Sequence, residues 1–289
     1  MNVARDKLEL REALAATRRD GRTIGLVPTM GALHDGHLAL LTAARERCDV
    51  VVMSLFVNPA QFGPGEDLEA YPRDEARDLE LAAEAGVDLV FAPSATEVYP
   101  SGFSTSVEVA GLTEVLDGDP QRRGPGHFRG VTTVVAKLFN AVGPELAFFG
   151  QKDAQQAVVI RRMARDLDFP VEIVVVPTVR EPDGLAMSSR NAYLDPAERE
   201  RAAALSRALR AAERAAEAGE TSTEPALAAA RAELAAAGIE PEYLEARDAE
   251  DLTPARNFNG RPILVAVAAR VGPARLIDNI VIGGTGPRD

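Results

Sequence analysis

The chain has 289 residues, 46% hydrophobic and 26% charged, which suits one large or two medium globular domains with real cores. A formal net charge of −12 excludes an extended nucleic-acid footprint but leaves room for a small anion in a locally basic pocket. The single cysteine, Cys48, excludes an internal disulfide, and neither a membrane-length apolar run nor an apolar N-terminal signal core is present, so a cytoplasmic protein is expected.

In chain order, residues 5–19 have helical spacing of Leu8, Leu10, Ala13 and Leu14. Residues 24–27 read as a buried strand, followed by a tight Pro/Gly turn and a helix beginning near His37. The almost unbroken apolar run 50–57 suits a parallel strand buried on both faces, and it stops at Asn58-Pro59. A helix at 74–85 and a strand at 87–91 follow. Residues 93–130 are rich in Gly, Pro and Ser, with a short strand predicted at 105–109 and a flexible stretch at 124–130. Helix 131–141, strand 146–149, loop 150–153, helix 154–167 and strand 171–176 complete the alternation. This pattern predicts an α/β fold, a Rossmann-like doubly wound parallel sheet.

The composition changes after about residue 180. Glu181-Pro-Asp-Gly184 reads as a turn, two Ala/Glu/Arg-rich helices lie near 196–218 and 224–237, and strands lie at 241–247, 263–271 and 275–282. The expectation is a smaller C-terminal α+β domain, hinged near 177–184, with domains 1–178 and 179–289.

Ligands of open α/β sheets lie beyond the carboxyl ends of the strands. Three clusters fall at such ends: Met30 to His37, Asn58 to Phe62, and Gly150 to Gln156. Two of only three histidines, His34 and His37, sit at the first strand-to-helix junction. A helix start offers unpaired N–H groups and a partial positive charge, and two imidazoles add donors for the same anion, so a nucleotide phosphate site is expected there. A metal pair has little support, because no Cys/His cluster surrounds it. At the third strand end Lys152 is placed to reach a phosphate and Asp153 a ribose, with Gln155 and Gln156 opening the next helix. A fourth cluster, Met187-Ser-Ser-Arg190, offers two hydroxyls and a guanidinium suited to triphosphate oxygens.

Four motifs then stand in order: Pro28-Thr-Met-Gly-Ala-Leu-His-Asp-Gly-His37, Phe56-Val-Asn-Pro-Ala-Gln-Phe62, Phe149-Gly-Gln-Lys-Asp153 with Gln155-Gln156, and Pro177-Thr-Val-Arg-Glu181 leading to Met187-Ser-Ser-Arg-Asn191. Together they resemble the pantothenate synthetase (pantoate–β-alanine ligase) family over nearly the whole chain; His-x-Gly-His alone resembles a wider nucleotidyltransferase-like superfamily. The resemblance implies an ATP-dependent ligase joining pantoate to β-alanine through a pantoyl adenylate, with release of AMP and pyrophosphate. It implies that His34, His37 and Lys152 are catalytic. ATP would be bound by Met30, Gly31, Ala32, Leu33, His34, Asp35, Gly36 and His37, and by Gly150, Gln151, Lys152 and Asp153. Val179, Met187, Ser188, Ser189 and Arg190 would complete the ATP set. Gln61 and Gln156 would bind pantoate, and Gln61 also β-alanine. Mg²⁺ would accompany ATP, with no direct protein ligand assigned, and a homodimer is implied. The chain departs from the family's usual Gly-Glu-Lys-Asp-Tyr at Gln151 and Ala154. His127 could face the amine site or be a loop residue without a catalytic part. Two other readings stay open: another adenylyl-transferring enzyme of the superfamily, and a non-catalytic nucleotide sensor.

Overall fold

A computed structural model describes residues 1–63, 68–258 and 260–283. The chain divides into two compact units, Met1–Gln151 with Gln155–Pro177, and Lys152–Ala154 with the residues from Thr178 onward.

The first unit opens with β1 (Asn2–Ala4) and α1 (Lys7–Arg19). The Asp6 carboxylate accepts from the N–H groups of Leu8 and Glu9 and so starts α1. Then come β2 (Ile24–Thr29), α2 (Asp35–Arg47), β3 (Val50–Leu55), α3 (Glu75–Glu84), β4 (Leu89–Phe91) and the short α4 (Ala95–Val98). After a long irregular stretch follow α5 (Pro125–Val142), β5 (Leu146–Gly150), α6 (Ala154–Asp166) and β6 (Glu172–Val176). The strands form one parallel sheet in the order β1-β4-β3-β2-β5-β6. From β2 the chain adds β3 and β4 on one side, then places β5 and β6 on the other. The order therefore reverses at β2, as in a doubly wound Rossmann-like sheet.

Alternation along the central strands explains the two-sided burial. Ile24, Leu26, Val50 and Val52 pack with Leu10 and Leu14 of α1 and Val135 and Leu138 of α5. Val27, Val51 and Met53 face the other way, onto Leu41 and Ala44 of α2 and Ala82 of α3. A sheet covered on both faces favours apolar side chains at successive positions, which is why β3 is apolar at every position but Ser54.

The second unit holds α7 (Pro196–Ala202), α8 (Ala204–Glu217), α9 (Thr223–Ala236), β7 (Pro241–Asp248), β8 (Ile263–Val271) and β9 (Ala274–Ile282). The three strands form an antiparallel sheet in sequence order. Its core is rich in alanine: Ala204, Ala208, Ala212, Ala226 and Ala230 pack with Leu205, Leu209, Val265 and Val267. Among the described residues no helix is long and apolar enough to cross a membrane.

The structure departs from the sequence reading at five places. β1 lies just ahead of the expected first helix, where three residues gave no period to read. Residues 105–109 are not a strand; the Val107 N–H and C=O are taken by the hydroxyls of Thr133 and Thr132 of α5 rather than by a ladder. Residues 125–130 are not a flexible loop but the first turns of α5, with Pro125 at the N-terminal position that needs no donor. The helix after β2 begins at Asp35, two residues before His37. Finally, the single helix expected over 196–218 is two, divided at Ala203.

Candidate active site

The reversal at β2 places three expected clusters at adjacent strand ends, because β3 and β5 are the two neighbours of β2. Residues 30–37 leave β2, residues 58–62 leave β3, and Gln151 follows the end of β5. This is the crevice in which open α/β sheets bind ligands.

The turn after β2 is held in an unusual backbone conformation. Gly31 has φ +85° and Ala32 has φ 51°, the left-handed region that a β-carbon disfavours. The buried carboxylate of Asp78 on α3 accepts from Ala32 N at 3.0 Å and Leu33 N at 2.8 Å. A β-carbon at Gly31 would stand 2.7 Å from Asp78 Oδ2, so only glycine fits against this anchor.

His34 is the N-cap of α2 and His37 its third helical residue. His34 Nδ1 accepts from Gly36 N at 3.1 Å, and His37 Nδ1 accepts from His34 N at 3.3 Å. The two rings, 4.1 Å apart between centroids, thus form a reciprocal capping box in place of the usual Ser and Glu. A nitrogen that accepts from an amide carries no hydrogen, so each ring bears its hydrogen on Nε2. The arrangement presents two Nε2–H donors at a helix start. Asp35 is exposed in the first turn, where a carboxylate complements the helix dipole.

Gln61 ends a 3-10 turn after β3, and its amide is oriented by neighbours in the first unit. Asn58, 1% exposed, donates from Nδ2 to Gln61 Oε1 and to Gly130 O, both at 3.1 Å. Tyr99 Oη donates to Asn58 Oδ1 at 2.7 Å. Burial pushes the Tyr99 phenol up to about 12, against a smaller opposing effect of the Asn58 contact, so it keeps its proton. Gln61 Nε2 then donates to Met30 Sδ at 3.2 Å, joining the turns after β3 and β2. α5 approaches closely because residue 130 is glycine: a β-carbon there would lie 2.2 Å from Ala60 O. His127 on α5 lies with Nδ1 2.8 Å from Gln61 O, and since a carbonyl only accepts, Nδ1 is the donor.

Gln155 and Gln156 separate in role. Gln155 is buried and structural: its amide donates to Leu112 O and Val115 O and accepts from Asp117 N. Gln156 is half-buried on α6. Gly150 has open space where a β-carbon would stand, and Lys152 Nζ lies 3.7 Å from Asp153 Oδ2.

In the second unit the Val179 and Met187 segments meet in a short hairpin. Met187 N donates to Val179 O at 3.0 Å, Glu181 N to Leu185 O at 2.9 Å, and Gly184 turns the chain with φ +88°. Ser188 caps the following 3-10 turn, its Oγ accepting from Arg190 N at 3.3 Å. Asn191 braces the hairpin by donating to Glu181 Oε1 and Ala186 O, and Arg199 pairs with Glu181 and Asp183. Sequence reasoning did not single out Asp78, Tyr99 or Asn191, and it placed Asn58 in a cluster without a role. Asp78 stands among the other charged residues of α3 and so gave no signal.

Comparison with known proteins identifies the family. The family model described as pantoate-beta-alanine ligase matches residues 2–281. The pantothenate synthetase of Moorella thermoacetica is 56% identical over 94% of this chain and 95% of its own length. The crystal structure of the Thermus thermophilus pantothenate synthetase superposes with TM-score 0.90 at 50% identity, covering 97% of this chain and 99% of that one. A Francisella tularensis pantoate-beta-alanine ligase, solved with a β,γ-ATP compound and β-alanine, gives TM-score 0.78 at 31% identity over 97% of each chain. The chain belongs to the pantoate–β-alanine ligase family.

Proposed function

We propose that the chain condenses pantoate with β-alanine, using ATP and releasing AMP and pyrophosphate, with pantoyl adenylate as the intermediate. The observation that carries this reading is the pairing at adjacent strand ends of two Nε2–H imidazole donors with a neutral, braced Gln61. N–H donors at a helix start suit a triphosphate; a neutral amide suits a hydroxy acid, since it bonds hydroxyls without repelling the carboxylate.

A carboxylate is a poor acyl donor because its leaving group would be oxide. In the first step a pantoate carboxylate oxygen attacks the α-phosphorus of ATP and pyrophosphate leaves. In the second the β-alanine amine attacks the activated carbonyl, the C–O bond to AMP breaks, and the amide forms with loss of one proton. The protein's part is positioning and stabilisation of phosphate charge. His34 and His37 donate to phosphate oxygens through Nε2–H, and Lys152 adds an ammonium. Residues 30–37 and 150–153, with Val179, Met187, Ser188, Ser189 and Arg190, line the nucleotide, and Asp153 takes the ribose. Gln61 and Gln156 hold pantoate, and Gln61 also meets β-alanine.

Mg²⁺ enters with the substrate, as MgATP. Among the described residues no group of three or more His, Cys, Asp or Glu side chains gathers to hold an ion. The mixed anhydride hydrolyses in water, so the domain 179–289 is assigned the part of a lid over the domain 1–178. A homodimer working in the cytoplasm completes the proposal. The test is pyrophosphate release from MgATP and pantoate, with and without β-alanine. Sustained release accompanied by AMP only when β-alanine is present supports the two-step ligase; ATP binding without release under either condition overturns it.

A further inference from the structure

Two consecutive residues of β9 stand under the nucleotide segments of the second unit. Asp278 and Asn279 are 3% and 5% exposed, in a strand that also carries Leu276, Ile277, Ile280 and Ile282. A buried carboxylate and a buried amide carry a desolvation cost that apolar residues would avoid, so their partners explain them. Asp278 receives both terminal nitrogens of Arg180, at 2.7 and 3.1 Å, a bidentate pair directly beside Val179. Arg180 Nη1 also donates to Gly184 O at 3.1 Å, so the same ion pair fixes the turn of the hairpin. Asn279 Nδ2 donates to the backbone carbonyl of Lys152 at 2.9 Å, in a segment that belongs to this unit. Asp278 Oδ1 accepts from Asn279 N at 2.7 Å and locks the carboxylate in place. Successive side chains leave a strand on opposite faces, so adjacent residues reach two different segments.

We propose that Asp278 and Asn279 are positioning residues for ATP: Asn279 sets the backbone from which the Lys152 ammonium projects, and Asp278, through Arg180, sets the Val179 hairpin. This rests on the assignment of Lys152 and Val179 to the nucleotide. Neither residue touches the reacting atoms, so the effect falls on nucleotide binding and not on the pantoate side.

The test is calorimetric binding of a non-hydrolysable ATP analogue to the full chain, together with KM for ATP and for pantoate. Asn279→Ala removes the hydrogen bond to Lys152 O, so analogue Kd and ATP KM rise about 3- to 10-fold while pantoate KM and Tm hold near wild type. Asn279→Gln keeps the amide donor and recovers part of the loss, and it serves as the readout if the alanine variant does not fold. Asp278→Asn leaves Arg180 without its counter-charge and shifts nucleotide binding in the same direction. Unchanged analogue binding in folded Asn279→Ala overturns the proposal, as does a parallel change in both KM values with a falling Tm. Wild-type protein that binds the analogue without turnover contradicts the ligase reading alone, whereas wild type that binds no analogue contradicts both.

Discussion

The two units differ in what fills their cores and in what holds their functional segments. The first packs Val, Ile, Leu and Phe from a sheet covered on both faces, while the second packs alanines between α8, α9 and a three-stranded sheet. In the first, the turns after β2 and β3 are pinned by buried groups, Asp78 and Asn58, inside the fold. In the second, the Val179–Met187 hairpin is braced by ion pairs, some of them partly exposed, from Arg180 and Arg199. The turns of the first unit are set by contacts inside a packed core, whereas the hairpin of the second is tied partly by charges that salt screens where they are exposed.

The comparison breaks most visibly at the first core. Phe148 is fully buried, and Phe148→Ala removes about 3–5 kcal/mol of stability by leaving a cavity, read as a lower urea midpoint. Next in size is a loss of function with no loss of fold. His37→Ala, or Lys152→Ala, lowers pyrophosphate release by about 10²- to 10³-fold with an unchanged circular dichroism spectrum. Near-wild-type release by either variant removes that residue from the chemistry.

In the second core addition harms more than deletion. Ala208 is fully buried between helices, and Ala208→Leu costs about 1–3 kcal/mol by overpacking, visible as a lower Tm. The smallest effect belongs to Tyr99. Tyr99→Phe removes the donor to Asn58 and costs about 0.5–1.5 kcal/mol, with a rise in pantoate KM and little change in ATP KM. The pH dependence has a defined sign. The phenol is raised from 10.0 in the unfolded chain to about 12 in the folded one, so its contribution is complete below 10 and is lost as pH climbs toward 12. A denaturation series between those limits that is flat in the wild type, or equally steep in Tyr99→Phe, contradicts it.

Much of this was legible in the residues. The almost unbroken apolar run 50–57 and the alternation of apolar segments announced a two-sided parallel sheet, because burial on both faces leaves little room for polar positions. Elements with little period were not legible: β1 is three residues long, and helix α5 opens with Pro, two Gly and His, residues that also make loops. Residues 105–109 have strand composition, but the backbone of Val107 bonds the hydroxyls of Thr132 and Thr133, which composition does not distinguish. At the site, His34, His37, Gln61 and Lys152 stood out by motif. Their supports did not: Asp78 lies 41 residues beyond His37 in sequence and acts on backbone, a contact that only the fold creates.

The most direct measurement uses pantoate labelled with ¹⁸O in its carboxylate, turned over with MgATP and β-alanine. Attack on the α-phosphorus followed by cleavage of the acyl C–O bond carries one labelled oxygen into AMP, and that is the result expected. Label in inorganic phosphate with ADP as the nucleotide product, or AMP free of label, contradicts the pantoyl adenylate.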